Sequence, residues 1–176
     1  YKRELTKYPI EVNLNAEITD IAALGADEVI VATGSTPNRI PIPGFDKGIQ
    51  AVDFLLGKKE VGDNVTIIGG GLTGCEIAYE LYLQGKHPTI VEMQDDLITT
   101  PGVCLANTSF LRDFFKANNV PVHLETRLCE IRTDGVTVAD KEGNKFEIPA
   151  NNVIVSVGYK PSPIAKKSKH VHIIGD

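Results

Sequence analysis

The sequence predicts an α/β fold: a parallel β-sheet with helices on both faces, an added antiparallel three-stranded β-meander, and flanking strand segments at either end. Three observations lead there. Short apolar runs alternate with amphipathic segments between residues 64 and 125, the pattern of successive β-α-β units. Three further short runs separated by turn signals follow, and one strand-like motif occurs twice, near residues 30 and 154.

The series opens with Val65, Thr66, Ile67 and Ile68, an apolar run between Gly62-Asp63 and a group of glycines, which predicts a buried strand over 64–69. From Leu72 onward, Ile77, Ala78, Leu81 and Tyr82 recur at helical spacing, and Gly85 is placed to end the helix. A second strand is predicted over 88–93. Residues 107–118 read as an amphipathic helix with Phe110, Leu111, Phe114 and Phe115 on one face, closed by Asn118 and Asn119. A strand over 120–125 completes the series, with right-handed crossovers expected. The runs 128–132, 136–139 and 145–148 are separated by Asp134-Gly135 and by Glu142-Gly143-Asn144, hairpin signals that predict a meander laid over the sheet. The apolar strand 153–157 then returns.

The repeat aligns Val29-Ile30-Val31-Ala32-Thr33-Gly34-Ser35-Thr36-Pro37 with Val153-Ile154-Val155-Ser156-Val157-Gly158-Tyr159-Lys160-Pro161. Each copy is an apolar strand ending in Gly-x-x-Pro, and each follows a strand-like run, 11–15 for the first and 121–125 for the second. A complete β-α-β precedes the second copy alone. The chain is therefore expected to begin partway through one nucleotide-binding domain and then to contain a second one whole. The expected division is 1–50 for the partial domain, 51–158 for the complete one and 159–176 for a return segment.

With 176 residues, 42% of them hydrophobic, the chain is long enough for one substantial core plus part of another. A net charge of -5 gives no basic surface for nucleic acid or anionic lipid. No apolar run reaches the roughly 18 to 20 residues of a membrane helix, so a small-molecule partner and a cytoplasmic location are expected. Cys75, Cys104 and Cys129 are isolated, with no CxxC and no nearby His, and read as free thiols. His87, His123, His170 and His172 lie in or beside strands with no identifiable nucleophile. Lys166, Lys167 and Lys169 read as a solvated basic patch.

Gly69, Gly71 and Gly74 form GxGxxG directly after a predicted strand and at the opening of a predicted helix, the dinucleotide fingerprint of a Rossmann-like fold. The first glycine permits the turn, the second lets the backbone approach a pyrophosphate, and the third lets helix and strand pack closely. First-turn amides around Leu72, Thr73, Gly74 and Cys75, with the helix dipole, then make an anion site without Lys or Arg. Glu92 ends the second strand, 23 positions on (from 69 to 92), near the roughly 20 expected of an acid that bonds the adenine ribose hydroxyls. Met93, Gln94, Asp95 and Asp96 supply no cation for a 2′-phosphate, so NAD(H) is favoured over NADP(H). Glu76, placed on the first helical turn, reads equally well as an acid that suits a helix N-terminus.

On these residues the sequence resembles the pyridine-nucleotide-dependent flavoproteins that carry one dinucleotide domain for FAD and a second, inserted within it, for NAD(P)H. Val29 to Gly34 resembles the stretch where the chain leaves the FAD domain, and Val153 to Pro161 resembles the matching return. Val171 to Asp176 is similar to the strand plus Gly-Asp that in such enzymes reaches the FAD ribityl and pyrophosphate. Gly69 to Glu76, followed by Thr89 to Met93, looks most like the NADH:flavin oxidoreductases related to 2-enoate reductase and 2,4-dienoyl-CoA reductase. That resemblance implies FAD as intermediary between NADH and FMN, with an iron-sulfur cluster and an FMN barrel in a missing part. It also places Glu76 near the nicotinamide and Glu92 at the adenine ribose. The site residues so expected are Gly69, Gly70, Gly71, Leu72, Thr73, Gly74, Glu76 and Glu92, with Gly34, Gly158, Pro161, Gly175 and Asp176 at the domain crossings and the FAD end.

The departures are specific. No glycine-rich βα turn precedes Val12, no CxxC or CxxxxC supports a disulfide mechanism, and the interval from Pro161 to Val171 is short. The expected function is an NADH-binding part of a flavin-dependent oxidoreductase, cut from a larger enzyme and passing hydride to FAD and then FMN for reduction of an enoate or enoyl substrate. It has no catalytic acid or base of its own, and alone it should bind nucleotide without turnover. The alternative is a nucleotide-binding module without turnover, holding an ADP-like ligand as in trimethylamine-dehydrogenase-like enzymes. A free-standing dehydrogenase would need a substrate domain for which no residues are left.

Overall fold

A computed structural model describes residues 2–175, with side chains from residue 3. The chain divides into two compact units, Tyr1–Ser35 with Pro161–Asp176, and Thr36–Lys160. Ile40, Ile42 and Phe45 pack into the core of the larger unit, and residues 49–50 add a strand to its sheet.

The smaller unit holds the short helix α1 (Lys2–Leu5), β1 (Val29–Val31) and β12 (Val171–Ile173). The two strands pair in parallel, Val29 opposite Val171 and Val31 opposite Ile173. Glu28 joins them, accepting from His170 Nδ1 at 3.0 Å and His172 Nε2 at 2.7 Å, and these hydrogen bonds hold its carboxyl below the usual carboxylate range. The strand expected over 11–15 does not form; Asn15 turns at φ 55°, and Val12 and Leu14 are exposed. The chain crosses between units within β2 (Ser35–Pro37) and β11 (Tyr159–Pro161).

In the larger unit β3 (Ile49–Gln50), α2 (Ala51–Leu55), β4 (Asn64–Ile68), α3 (Leu72–Leu83), β5 (His87–Val91), α4 (Leu105–Ala117) and β6 (Val122–His123) follow in order. After the meander, β10 (Asn152–Val155) enters the middle of the sheet, whose order is β3-β10-β4-β5-β6. Every pairing in it is parallel. Side chains alternate across a strand, and this alternation sorts the core into two layers. Val65, Ile67, Ile90 and Ile154 point to one face, where Ala51, Ile77, Ala78, Leu81, Leu111 and Phe115 cover them. Ile68, Val91, Val153 and Val155 point to the other.

That second face is covered by β7 (Arg127–Ile131), β8 (Gly135–Ala139) and β9 (Lys145–Pro149), an antiparallel sheet contributing Leu128, Ile131, Val136, Val138 and Ile148. The α/β class with parallel sheet and meander is as expected, and the division of layers is more particular. The α-helices gather on one side, while a 3-10 turn at Phe45–Lys47 joins the meander on the other.

Two strand ends differ for physical reasons. The strand expected over 120–125 shrinks to β6 because Pro121 has no N–H to donate and Glu125 turns at φ 48°, sending its amide to the Gln94 carbonyl at 2.8 Å. β5 ends at Val91, so Glu92 lies just beyond it. Of the four residues expected on the apolar face of α4, Leu111 and Phe115 are buried and Phe114 packs edge-on against Tyr79 and Tyr82. Phe110 stays 54% exposed.

Replacing Phe115 by Ala should lower the unfolding free energy by about 3–5 kcal/mol, whereas Phe110→Ala should cost less than about 1 kcal/mol. Chemical denaturation of the two variants measures both.

Candidate functional site

The site begins where β4 ends. Gly69 turns at φ 104°, and its amide donates to the Val91 carbonyl at 2.9 Å. A Cβ here would come far closer than 3.0 Å to the carbonyl oxygen of Ser156, at the end of β10. A Cβ on Gly74 would in the same way collide with the carbonyl oxygen of Gly69, so this glycine sets the approach of α3 to β4. Gly71 is different: it caps α3 with extended ψ, carries no capping side chain, and a Cβ there would meet nothing within 4 Å.

The first four N–H groups of an α-helix have no partner within the helix. Here the amide of Cys75 reaches the Gly71 carbonyl at 3.0 Å, while those of Leu72, Thr73 and Gly74 find no acceptor among the described residues. No acidic residue lies in the first turn. Glu76, expected there, sits on the second turn and is exposed.

Gly69, Gly70 and Gly71 line a cleft of about 450 Å³. Glu92 lines it too and is only 9% exposed. One carboxylate oxygen accepts from the Gly70 amide at 2.6 Å and the other from the Gln94 amide at 2.8 Å. A carboxylate has about four lone-pair positions, so acceptor capacity is left over. The meander supplies Thr126, whose amide donates to the Glu92 carbonyl at 2.9 Å, and Arg127, which lines the same cleft. The Arg127 guanidinium has no ion pair among the described residues. The residues directly after Glu92 in sequence carry no cation, and Arg127 reaches the cleft only because the first strand of the meander starts beside it. The loop Ile98–Thr100, which also lines the cleft, carried no signal at all.

Of the other expected positions, Gly158 (φ 82°) lines the cleft, and its carbonyl accepts from the Asn38 amide at 3.0 Å. Leu72 and Thr73 are half-buried and Gly74 is buried. Gly34, Pro161 and Gly175 belong to the smaller unit. Gly34 (φ 72°) accepts from the Ser162 amide at 3.0 Å, and Gly175 (φ 96°) follows β12. Asp176 lies outside the described residues. The smaller unit's Gly34 and the larger unit's Gly158 thus share a left-handed turn leading into a short strand.

Cys75 is buried beneath the loop with its thiol donating to the Gly70 carbonyl at 3.3 Å, and burial, then the charge of Glu92, push the thiol up to about 12. Among the described residues no cluster of His, Cys, Asp and Glu could hold a metal ion, and no helix is long and apolar enough to cross a membrane. Unengaged amides at a strand-to-helix corner, a backbone that passes close by at Gly71, and an acid fixed beside the glycine loop together suit a diphosphate joined to a hydroxylated sugar.

Residues 4–174 match the family described as pyridine nucleotide-disulphide oxidoreductase, whose members bind FAD and a pyridine nucleotide. The chain is 42% identical over 151 residues to a cinnamate reductase of Clostridium sporogenes, covering 85% of this chain and 23% of the relative. It is 34% identical over 187 residues to an NADH oxidase of Thermoanaerobacter brockii, covering 98% and 28%. A solved structure of a 2-naphthoyl-CoA reductase in complex with 2-naphthoyl-CoA superposes with a TM-score of 0.78 at 30% identity, covering 99% of this chain and 28% of that one. The chain thus spans about a quarter of the length of these relatives. The resemblance to reductases of the 2-enoate type is borne out by the cinnamate and 2-naphthoyl-CoA reductases.

Gly74→Ala should lose about 2 kcal/mol or more of stability by forcing α3 off the sheet, while Gly71→Ala should stay within about 0.5 kcal/mol of the parent; thermal melts separate them. In the folded protein at pH 8, iodoacetamide should modify exposed Cys104 and leave Cys75 untouched, because the Cys75 thiol ionises only near 12. Peptide mass mapping reads the order.

Proposed function

The chain belongs to the pyridine nucleotide-disulphide oxidoreductase family, and from that premise we propose that the unit Thr36–Lys160 binds NADH and presents it to a flavin. The observation that carries this reading is the open start of α3: three amides without acceptors beside a glycine with nothing within 4 Å of its missing Cβ. Gly71, Leu72, Thr73 and Gly74 would hold the diphosphate through backbone N–H groups aided by the helix dipole. Glu92 would accept from the adenine ribose hydroxyls with its remaining lone pairs.

The preference for NADH over NADPH rests on a difference between two charges. Glu92 is buried and pinned by two backbone amides, so it repels a 2′-phosphate from a fixed, poorly screened position. Arg127 is an exposed cation lining the same cleft, screened by water. When bound, the nicotinamide supplies a hydride that the flavin accepts; the chain's own contribution is position and electrostatics. FAD, which members of the family bind, would be the first acceptor, with FMN and an iron-sulfur cluster beyond it outside this chain, and the names of the cinnamate and 2-naphthoyl-CoA reductases support a conjugated carboxylic acid or thioester as substrate.

Titration of the full protein with NADH and NADPH should show NADH binding tighter by about tenfold or more, with Glu92→Gln narrowing the gap. Tighter NADPH would remove the role given to Glu92. Anaerobic addition of NADH should bleach the bound flavin; a flavin that stays oxidised would favour a structural ADP-type site.

A further inference from the structure

We propose that Arg112, on α4, is a positioning residue for this nucleotide site: it fastens the loop after β5 so that the Ile98 amide aims the peptide group between Gly70 and Gly71. The inference rests on the nucleotide reading above. Arg112 approaches both oxygens of Asp96, Nε at 3.1 Å and Nη2 at 3.0 Å. Its Nη2 also donates to the carbonyl of Leu97 and, at 3.5 Å, to that of Ile98. One guanidinium thus grips three consecutive residues of the loop.

What it grips is strained. Ile98 sits at φ 51°, a left-handed conformation that β-branched residues avoid and that persists only where surrounding contacts impose it. Both Leu97 and Ile98 are 4% exposed, and a Leu97 methyl lies 2.5 Å from where a Cβ on Gly70 would stand. The reward for holding this shape is one bond: the Ile98 amide donates to the Gly70 carbonyl at 2.8 Å.

The Gly70 carbonyl and the Gly71 N–H belong to one planar trans peptide and point in opposite directions. Fixing the carbonyl from the loop side, where the Cys75 thiol also reaches it at 3.3 Å, therefore fixes the direction of the Gly71 N–H, on a glycine pair with no Cβ to restrict its backbone. On its other side Gly70 is already held, its amide by Glu92 at 2.6 Å. The sequence of contacts runs from α4 through Arg112 and Ile98 to the first amide of the diphosphate corner, and Arg112 itself does not line the cleft.

The test uses the full protein and its Arg112→Met, Arg112→Lys and Arg112→Met/Ile98→Gly variants, with NADH and ADP as probes. Arg112→Met should weaken both by about tenfold, the loss expected of one charge-assisted hydrogen bond to phosphate, and Arg112→Lys by less. Glycine adopts the left-handed turn without strain, so adding Ile98→Gly should recover at least half of the lost affinity even though it removes a buried side chain. A purely structural role for Arg112 would predict the reverse, a further loss. Hydrogen exchange should show faster exchange of the Ile98 amide in Arg112→Met, with the β4 amides unchanged. Parental affinity in Arg112→Met, or no recovery in the double variant, overturns the proposal. If the parent protein binds neither probe, the nucleotide reading fails, and the exchange rate of the Ile98 amide still decides whether Arg112 holds the loop.

Discussion

The close approach of α3 to β4 is the constraint on which the rest of the larger unit depends. The Gly69 carbonyl occupies the space a Cβ of residue 74 would need, and the Ser156 carbonyl occupies the space a Cβ of residue 69 would need. Three segments, the ends of β4 and β10 and the start of α3, therefore meet with no side chain between them. This geometry stands the helix N-terminus directly on the carboxyl edge of the sheet, where a parallel α/β fold leaves its ligand crevice. It also explains why the motif's middle glycine differs in kind from the other two: Gly69 and Gly74 serve the packing of the protein against itself, and Gly71 leaves open space.

The two faces of the sheet then contribute different things. The helical face supplies main-chain dipoles through α3, and the other face, covered by the meander, brings side chains to the cleft wall through Thr126 and Arg127. Antiparallel strands can cover a parallel sheet here because β8 buries Val136 and Val138 completely and turns tightly at Gly135 (φ 145°) and Gly143 (φ 88°). The meander is thus a second core layer as well as a wall of the site.

Much of this was legible in the sequence because local rules and tertiary needs agree. The helix from Leu72 stops before Gly85 (φ 78°), the meander strands lie within a residue of their expected ends, and the repeat reappears as two left-handed glycines. The failures occur where a partner decides. Residues 11–15 have the composition of a strand, but β1 takes β12 as its neighbour instead, and composition cannot show which edge a strand will find. Residues 36–50 show weak periodicity because their role is set by contacts with Ile131 and Val155, far along the chain. The Arg112 grip on the loop depends on a left-handed isoleucine that no propensity would predict.

Glu92 shows how the legible and illegible parts of the site combine. Spacing alone marks it as a ribose ligand, yet in the structure its carboxylate already holds the amides of Gly70 and Gln94. The same acid therefore stabilises the glycine loop before any ligand arrives, and the Ile98 amide holds the next carbonyl from the other side. A charge fixed in this way cannot swing aside to admit a phosphate, since doing so would leave a buried amide without an acceptor. On the proposed reading, selectivity against a 2′-phosphate would follow from the loop's own hydrogen bonding: the rigidity that would aim the amides at a diphosphate also keeps the carboxylate where a second phosphate would have to sit.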